Sequence, residues 1–134
     1  MSPARAPRWA APLLWAAAVY NLCFMAFAVL FPQLWFELAD LPPANYPSLW
    51  QCIGMIVGVY GVGYAIAARD PLRHWPIVLV GLLGKVFGPI GFLFAVLQGE
   101  LPWRAGWLIV GNDLIWWLPF ALLLLAARRD HAPR

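Results

Sequence analysis

Threonine is absent from this 134-residue chain, serine occurs only at Ser2 and Ser48, and Lys85 is the only lysine. No hydroxyl nucleophile stands beside a base in the sequence, which argues against hydrolase chemistry. Charged residues make up 11%, against roughly 25% in soluble domains. The two cysteines, Cys23 and Cys52, lie in apolar stretches without CxxC or zinc-ligand spacing, so no disulfide framework is expected. The two histidines, His74 and His131, fall at the ends of apolar segments, where they cannot grip a haem within a span; neither metal nor cofactor is expected. The formal charge of +3 comes from basic residues scattered singly and in pairs, not from one polar face, so nucleic acid is not the expected partner.

Apolar residues are abundant, at 63% of the chain, with 9 Trp, 8 Phe and 4 Tyr. A soluble domain of this size must keep a large share of its residues in water and cannot bury that much apolar surface. Disordered chains are poor in aromatic residues, so disorder is excluded as well. The lipid bilayer is the solvent that fits.

Four segments, residues 9–31, 48–68, 75–97 and 106–127, are each about as long as the ~20 residues a helix needs to cross the hydrocarbon core. The first exceeds the roughly 7 to 15 apolar residues of a signal peptide and reads as a retained anchor. Asp70-Pro71 and Leu101-Pro102-Trp103 break the chain between spans two and three and between three and four, and joints this short predict antiparallel neighbours. Between spans one and two, Leu34, Trp35, Leu38 and Leu41 recur at helical spacing before Pro42-Pro43, which predicts a short helix at the outer interface. The expected fold is an all-α integral membrane protein, one domain over residues 1–134. Trp9, Trp35, Trp50, Trp75 and Trp103 stand at span ends, as an aromatic belt requires.

Arg5 and Arg8, Arg69 and Arg73, and Arg128, Arg129 and Arg134 fall in three regions that alternate with loops holding only Arg104 and the acidic Glu37, Asp40 and Glu100. The positive-inside rule then places both termini in the cytoplasm.

Lipid gives helices no hydrophobic reason to associate, so small residues that let backbones approach must supply packing. Span two carries Gly54, Gly58, Gly61, Ala65 and Ala68 on one face; span three carries Gly81, Gly84, Gly88, Gly91 and Ala95. These two faces are expected to meet, with Pro89 adding a kink.

Lys85 lies near the middle of span three, roughly 18 Å from its outer end. A charge at that depth costs at least ~2.5 to 3.5 kcal/mol, so it must face a partner or a wet cavity. Asp113, roughly 10 Å into span four, is within reach of a lysine stem. Asn112, Asn21 and Gln51 are placed to complete a polar cluster, with Tyr20, Tyr60 and Tyr64 as further candidates. Such groups either bind a small molecule, lipid or proton, or clasp the helices. In the second case the protein is a noncatalytic accessory subunit, docked through its glycine faces on a membrane partner or a second copy. Gly81-Leu82-Leu83-Gly84-Lys85-Val86 has glycines too close together for a phosphate-binding loop and lacks the following Ser or Thr.

The strings Trp50-Gln51-Cys52-Ile53-Gly54-Met55, Ala68-Arg69-Asp70-Pro71, Gly84-Lys85 and Asn112-Asp113-Leu114-Ile115-Trp116-Trp117 together resemble a group of short bacterial membrane proteins. The resemblance covers nearly the whole chain and implies a location in the bacterial inner membrane. Some members carry the label alkyl hydroperoxide reductase, which implies peroxide reduction by an activated cysteine, here Cys23 or Cys52. The residues themselves read otherwise: cysteine among Leu, Phe, Ile and Met usually behaves as a small hydrophobe.

Overall fold

The computed structural model describes residues 6–131, all of its regular elements helical. Ser2, Arg5 and Arg134, which entered the reading above, lie outside the described residues. Four stretches are long and apolar enough to cross a membrane: Ala10–Leu30, Pro47–Ala67, Trp75–Leu97 and Trp103–Asp130. The first three are the uninterrupted helices α1 (Ala10–Leu30), α3 (Pro47–Ala67) and α4 (Trp75–Leu97), and the five-residue α2 (Leu34–Leu38) lies between α1 and α3. The fourth is compound. It passes from a 3-10 turn (Trp103–Gly106) through α5 (Trp107–Ile109) and a π turn (Val110–Leu114) into α6 (Ile115–His131).

Proline and left-handed backbone set most boundaries. Pro32 has no N–H to continue α1, which closes with the Phe31 N–H donating to Phe27 O at 3.0 Å. Pro47 stands in the first turn of α3 and Pro76 in that of α4, where the missing N–H costs nothing. At the end of α4, Gly99 takes φ +75°, so that the next N–H, of Glu100, turns back to Ala95 O at 2.9 Å. Asp40 does the same after α2 with φ 52°, an uncommon conformation for a residue with a Cβ. Arg104 holds it there, donating to Ala39 O at 3.1 Å, to Asp40 O at 2.8 Å and to the Asp40 carboxylate at 3.3 Å.

The most extensive interface joins α1 to α3. On α3, Gly54 faces Ala28, Gly58 faces Met25, and Gly61 lies against Ala18 O and the Asn21 Cβ. The expected meeting of two glycine faces is therefore corrected: the face of α3 closes on α1, and the α3–α4 interface is sparse. The reason is on α1, where Ala10, Ala17, Ala18 and Ala28 are buried at helical spacing and offer the complementary small-residue surface. On α4, Gly84 and Gly91 have no neighbour within 4 Å of where a Cβ would stand.

Two apolar clusters fill the bundle. One gathers Leu14, Tyr64, Val78, Trp116, Phe120 and Leu123 with the alanines of α1 and α3. The other is built on Trp35, Ala39 and Ala105, with Phe27, Phe36, Trp50 and Phe92 packed around them. Trp35 and Trp50 stack in this second cluster, ring centroids 5.0 Å apart and planes 16° apart. They serve there as core and not as the belt residues expected, whereas Trp9 and Trp103 are exposed. Asn21, Lys85 and Asp113 fall between the two clusters along their helices, and among the described residues they are the buried polar ones.

Candidate functional site

The site begins with a proline. A residue at position 89 would normally donate its N–H to the carbonyl of Lys85, four residues earlier, but Pro89 has none to give. Trp117 supplies the missing donor: its indole Nε1 reaches Lys85 O at 2.9 Å. The Lys85 side chain turns to the same span, its ammonium donating to Asn112 O at 2.6 Å. Both polar ends of Lys85 are thus held by the fourth span, the ammonium by a carbonyl within the π turn and the carbonyl by an indole one turn beyond it. A π turn widens the helix and frees carbonyl groups from the regular ladder, which is how Asn112 O is presented sideways to an ammonium.

Aromatic faces surround the charge. The Lys85 Nζ stands 5.5 Å from the centre of the Trp116 ring and 6.0 Å from that of Tyr64, both within cation–π range. Trp116 is fixed by its own Nε1, which donates to Gly111 O at 3.1 Å. Tyr64 is seated by Gly81, since any side chain at that position would collide with its hydroxyl. Gly88 does the same for the carboxylate: a Cβ there would come within 2.7 Å of Asp113 Oδ2. Gly81 and Gly88, one turn either side of Lys85, are therefore sockets for Tyr64 and Asp113 instead of a helix-docking stripe.

Asp113 makes no direct ion pair with Lys85; its Oδ1 accepts from the Asn112 side-chain amide at 3.0 Å. Asn21 donates to Val57 O at 3.0 Å, a bond that the close α1–α3 contact makes possible. Gln51 is elsewhere, in the first turn and a half of α3, where it donates to Val29 O at 2.9 Å. Of the five residues singled out by sequence, Lys85, Asp113, Asn112 and Asn21 line one cavity of about 260 Å³, together with Tyr60 and Tyr64, and Gln51 does not. Tyr20 packs against Trp116 instead, ring centroids 5.7 Å apart.

This cavity holds more hydrogen-bonding capacity than the protein uses. Asn21 Oδ1 and Asn112 Oδ1 are buried and receive no hydrogen bond from the protein. The Lys85 ammonium has three N–H donors and one partner among the protein's hydrogen bonds. An unsatisfied buried acceptor costs about 1–3 kcal/mol, so two of them on residues that line one cavity, with a spare cationic donor on a third, mark a place for a polar guest. Among the described residues no three His, Cys, Asp or Glu side chains gather as a metal would require. Cys23 and Cys52 are exposed, unpaired and away from this cavity.

Sequence reasoning missed Trp117, Trp116 and the roles of Gly81 and Gly88. The spacing of Lys85 and Pro89, four residues apart, was the available sign that a carbonyl next to the lysine needs an outside donor. No family model, curated protein or solved structure matches the chain.

Proposed function

We propose that this is a multi-pass protein of the bacterial inner membrane that binds a small molecule or lipid head group in the cavity around Lys85. In this reading the four spans run antiparallel, α2 lies at the outer interface and both termini are cytoplasmic, in keeping with the arginine distribution. The observation that carries the proposal is the combination of a Lys85 ammonium with spare N–H groups and two amide oxygens without a protein donor, those of Asn21 and Asn112, all on residues that line one cavity, since a purely structural clasp would pair its polar groups with one another. One N–H of the Lys85 ammonium is used on Asn112 O and the Asn112 amide N–H on Asp113; the remaining ammonium N–H groups and the two amide oxygens are not used within the protein.

The test compares Lys85→Met, Asp113→Asn and the double variant for folding and for retained small molecules. Native mass spectrometry of the detergent-solubilised wild type is expected to show a retained non-protein mass. That mass should disappear in Lys85→Met while the variant keeps a cooperative melting transition. Unfolding of each single variant with recovery in the double would instead assign the residues to structure.

A second reading, of an accessory subunit, draws on Gly84 and Gly91, whose positions are open to approach by another helix. Under it, Gly91→Leu releases a partner and leaves the retained mass unchanged. The peroxide chemistry implied by the resemblance would need Cys23 or Cys52, and Cys23 borders a largely apolar depression with Tyr20, Phe24, Phe27 and Leu108 that is lined by no carboxylate, histidine, lysine or arginine.

A further inference from the structure

The polar cavity has an apolar neighbour. Along the sparse α3–α4 seam lies a separate groove of about 340 Å³, lined by Val59, Gly63, Pro76, Ile77 and Val80, and Tyr60 lines both. The cavity itself, at about 260 Å³, falls below the roughly 300–1,000 Å³ of pockets that enclose a whole ligand. It is sized for a head, and the groove for a tail. Ile56 and Gly84 on the cavity wall are exposed on the outer surface of the bundle, so the head space opens sideways between α3 and α4, where acyl chains would lie.

Hydrogen-bond chemistry narrows the head further. Asn21 Oδ1 and Asn112 Oδ1 are buried acceptors and can be satisfied only by a group that donates. The spare N–H groups of Lys85 require a group that accepts. A hydroxyl does both with one atom, accepting from Lys85 and donating its single proton to one of the two amide oxygens. An anionic head would satisfy the lysine but would stand beside the Asp113 carboxylate and the two amide oxygens, all of the wrong polarity for it. Resting on the reading that this cavity binds a ligand, we infer that the ligand is a neutral lipid with a hydroxyl-bearing head: the hydroxyl enters between Lys85, Asn21 and Asn112, and the hydrocarbon chain lies along the α3–α4 groove past Tyr60.

The experiment uses the full chain in nanodiscs and four probes with the same photoreactive hydrocarbon chain: a primary alcohol, its methyl ether, the fatty acid, and a phosphatidylcholine. The alcohol is expected to label Val59 and Val80, mapped by mass spectrometry. The ether accepts but cannot donate, and its labelling should fall roughly tenfold, as expected when buried acceptors go unpaired. Val80→Trp, which fills the groove from its exposed side, should abolish labelling without lowering the melting temperature. Equal labelling by ether and alcohol, or stronger labelling by the acid or the phospholipid, overturns the hydroxyl assignment. If no probe labels the seam but the Lys85-dependent retained mass persists, this inference fails and the binding reading stands. If both are absent, both fail.

Discussion

The α1–α3 seam and the α3–α4 seam are both built with glycine and come out opposite. On the first, Gly54, Gly58 and Gly61 of α3 are covered by residues of α1, and the bonds crossing it run from the Asn21 and Gln51 amides to backbone carbonyls. On the second, Gly81 takes in a tyrosine from α3 and Gly84 is left uncovered, while Gly88, on the side of α4 that meets the fourth span, takes in a carboxylate. A small residue thus removes a side chain in both places, but what fills the space decides its role. Alanine opposite glycine gives a dry contact; a polar side chain opposite glycine gives a seat for a charge, and nothing opposite glycine gives a mouth.

Valine in place of glycine is the hardest test of that contrast. Gly54→Val would drive its Cβ to within 2.5 Å of the Ala28 Cβ, with no flexible side chain to yield. A loss of about 3 kcal/mol, or failure to fold, is expected in detergent unfolding. The same unfolding assay on Gly84→Ala should show a change of no more than about 1 kcal/mol, in the stabilising direction, because alanine is the better helix former and the site is open. Equal losses at the two positions would erase the distinction between the seams.

Next in size is the Lys85 carbonyl. Trp117→Phe removes its donor and should cost about 1–3 kcal/mol, the penalty for a stranded acceptor. Pro89→Ala returns the backbone N–H, so in that background Trp117→Phe should lose no more than its packing. A double-mutant cycle should therefore give a coupling of about 1 kcal/mol between positions 89 and 117. Additive effects would mean that the indole bond carries nothing the helix needs.

Smaller still is the clasp on the loop after α2. Its Arg104–Asp40 ion pair is exposed on both sides, at 57% and 93%, so Asp40→Asn should cost well under about 1 kcal/mol. Smallest are the cysteines. Cys23→Ala and Cys52→Ala are expected to leave both the melting temperature and the retained mass nearly unchanged, and a purified protein that reduces an alkyl peroxide and loses that activity in either variant would overturn the assignment of function to the Lys85 cavity.

The spans were plain in the sequence because hydropathy is a property of each segment alone. The expected limits 9–31, 48–68 and 75–97 fall within a residue of α1, α3 and α4. Pairing was not plain, because a row of glycines marks a face without naming its partner, and the alanines of α1 that supply the partner are common in any apolar run. The site was half legible. Lys85, Asp113, Asn112 and Asn21 stand out as polar residues in apolar stretches, whereas Gln51 stands out equally and lies at the end of its helix against Val29. The π turn left no mark that periodicity could detect, and it is the π turn that brings Asn112 O to the ammonium. The fourth span also begins at Trp103, before the expected residue 106, since a 3-10 turn continues its axis outward.

The dependence of Lys85 on the fourth span has a consequence for biosynthesis. Chains enter the membrane from the N-terminus, so α4 leaves the ribosome carrying an unshielded ammonium and an unpaired carbonyl while Asn112 and Trp117 are still to be translated. Until those residues follow, α4 is a poor guest in lipid, and the last two spans should partition together. A nascent chain arrested after Glu100 is expected to remain extractable or beside the insertion machinery, and one arrested after Arg129 should be integrated. Lys85→Leu should let the shorter chain integrate alone.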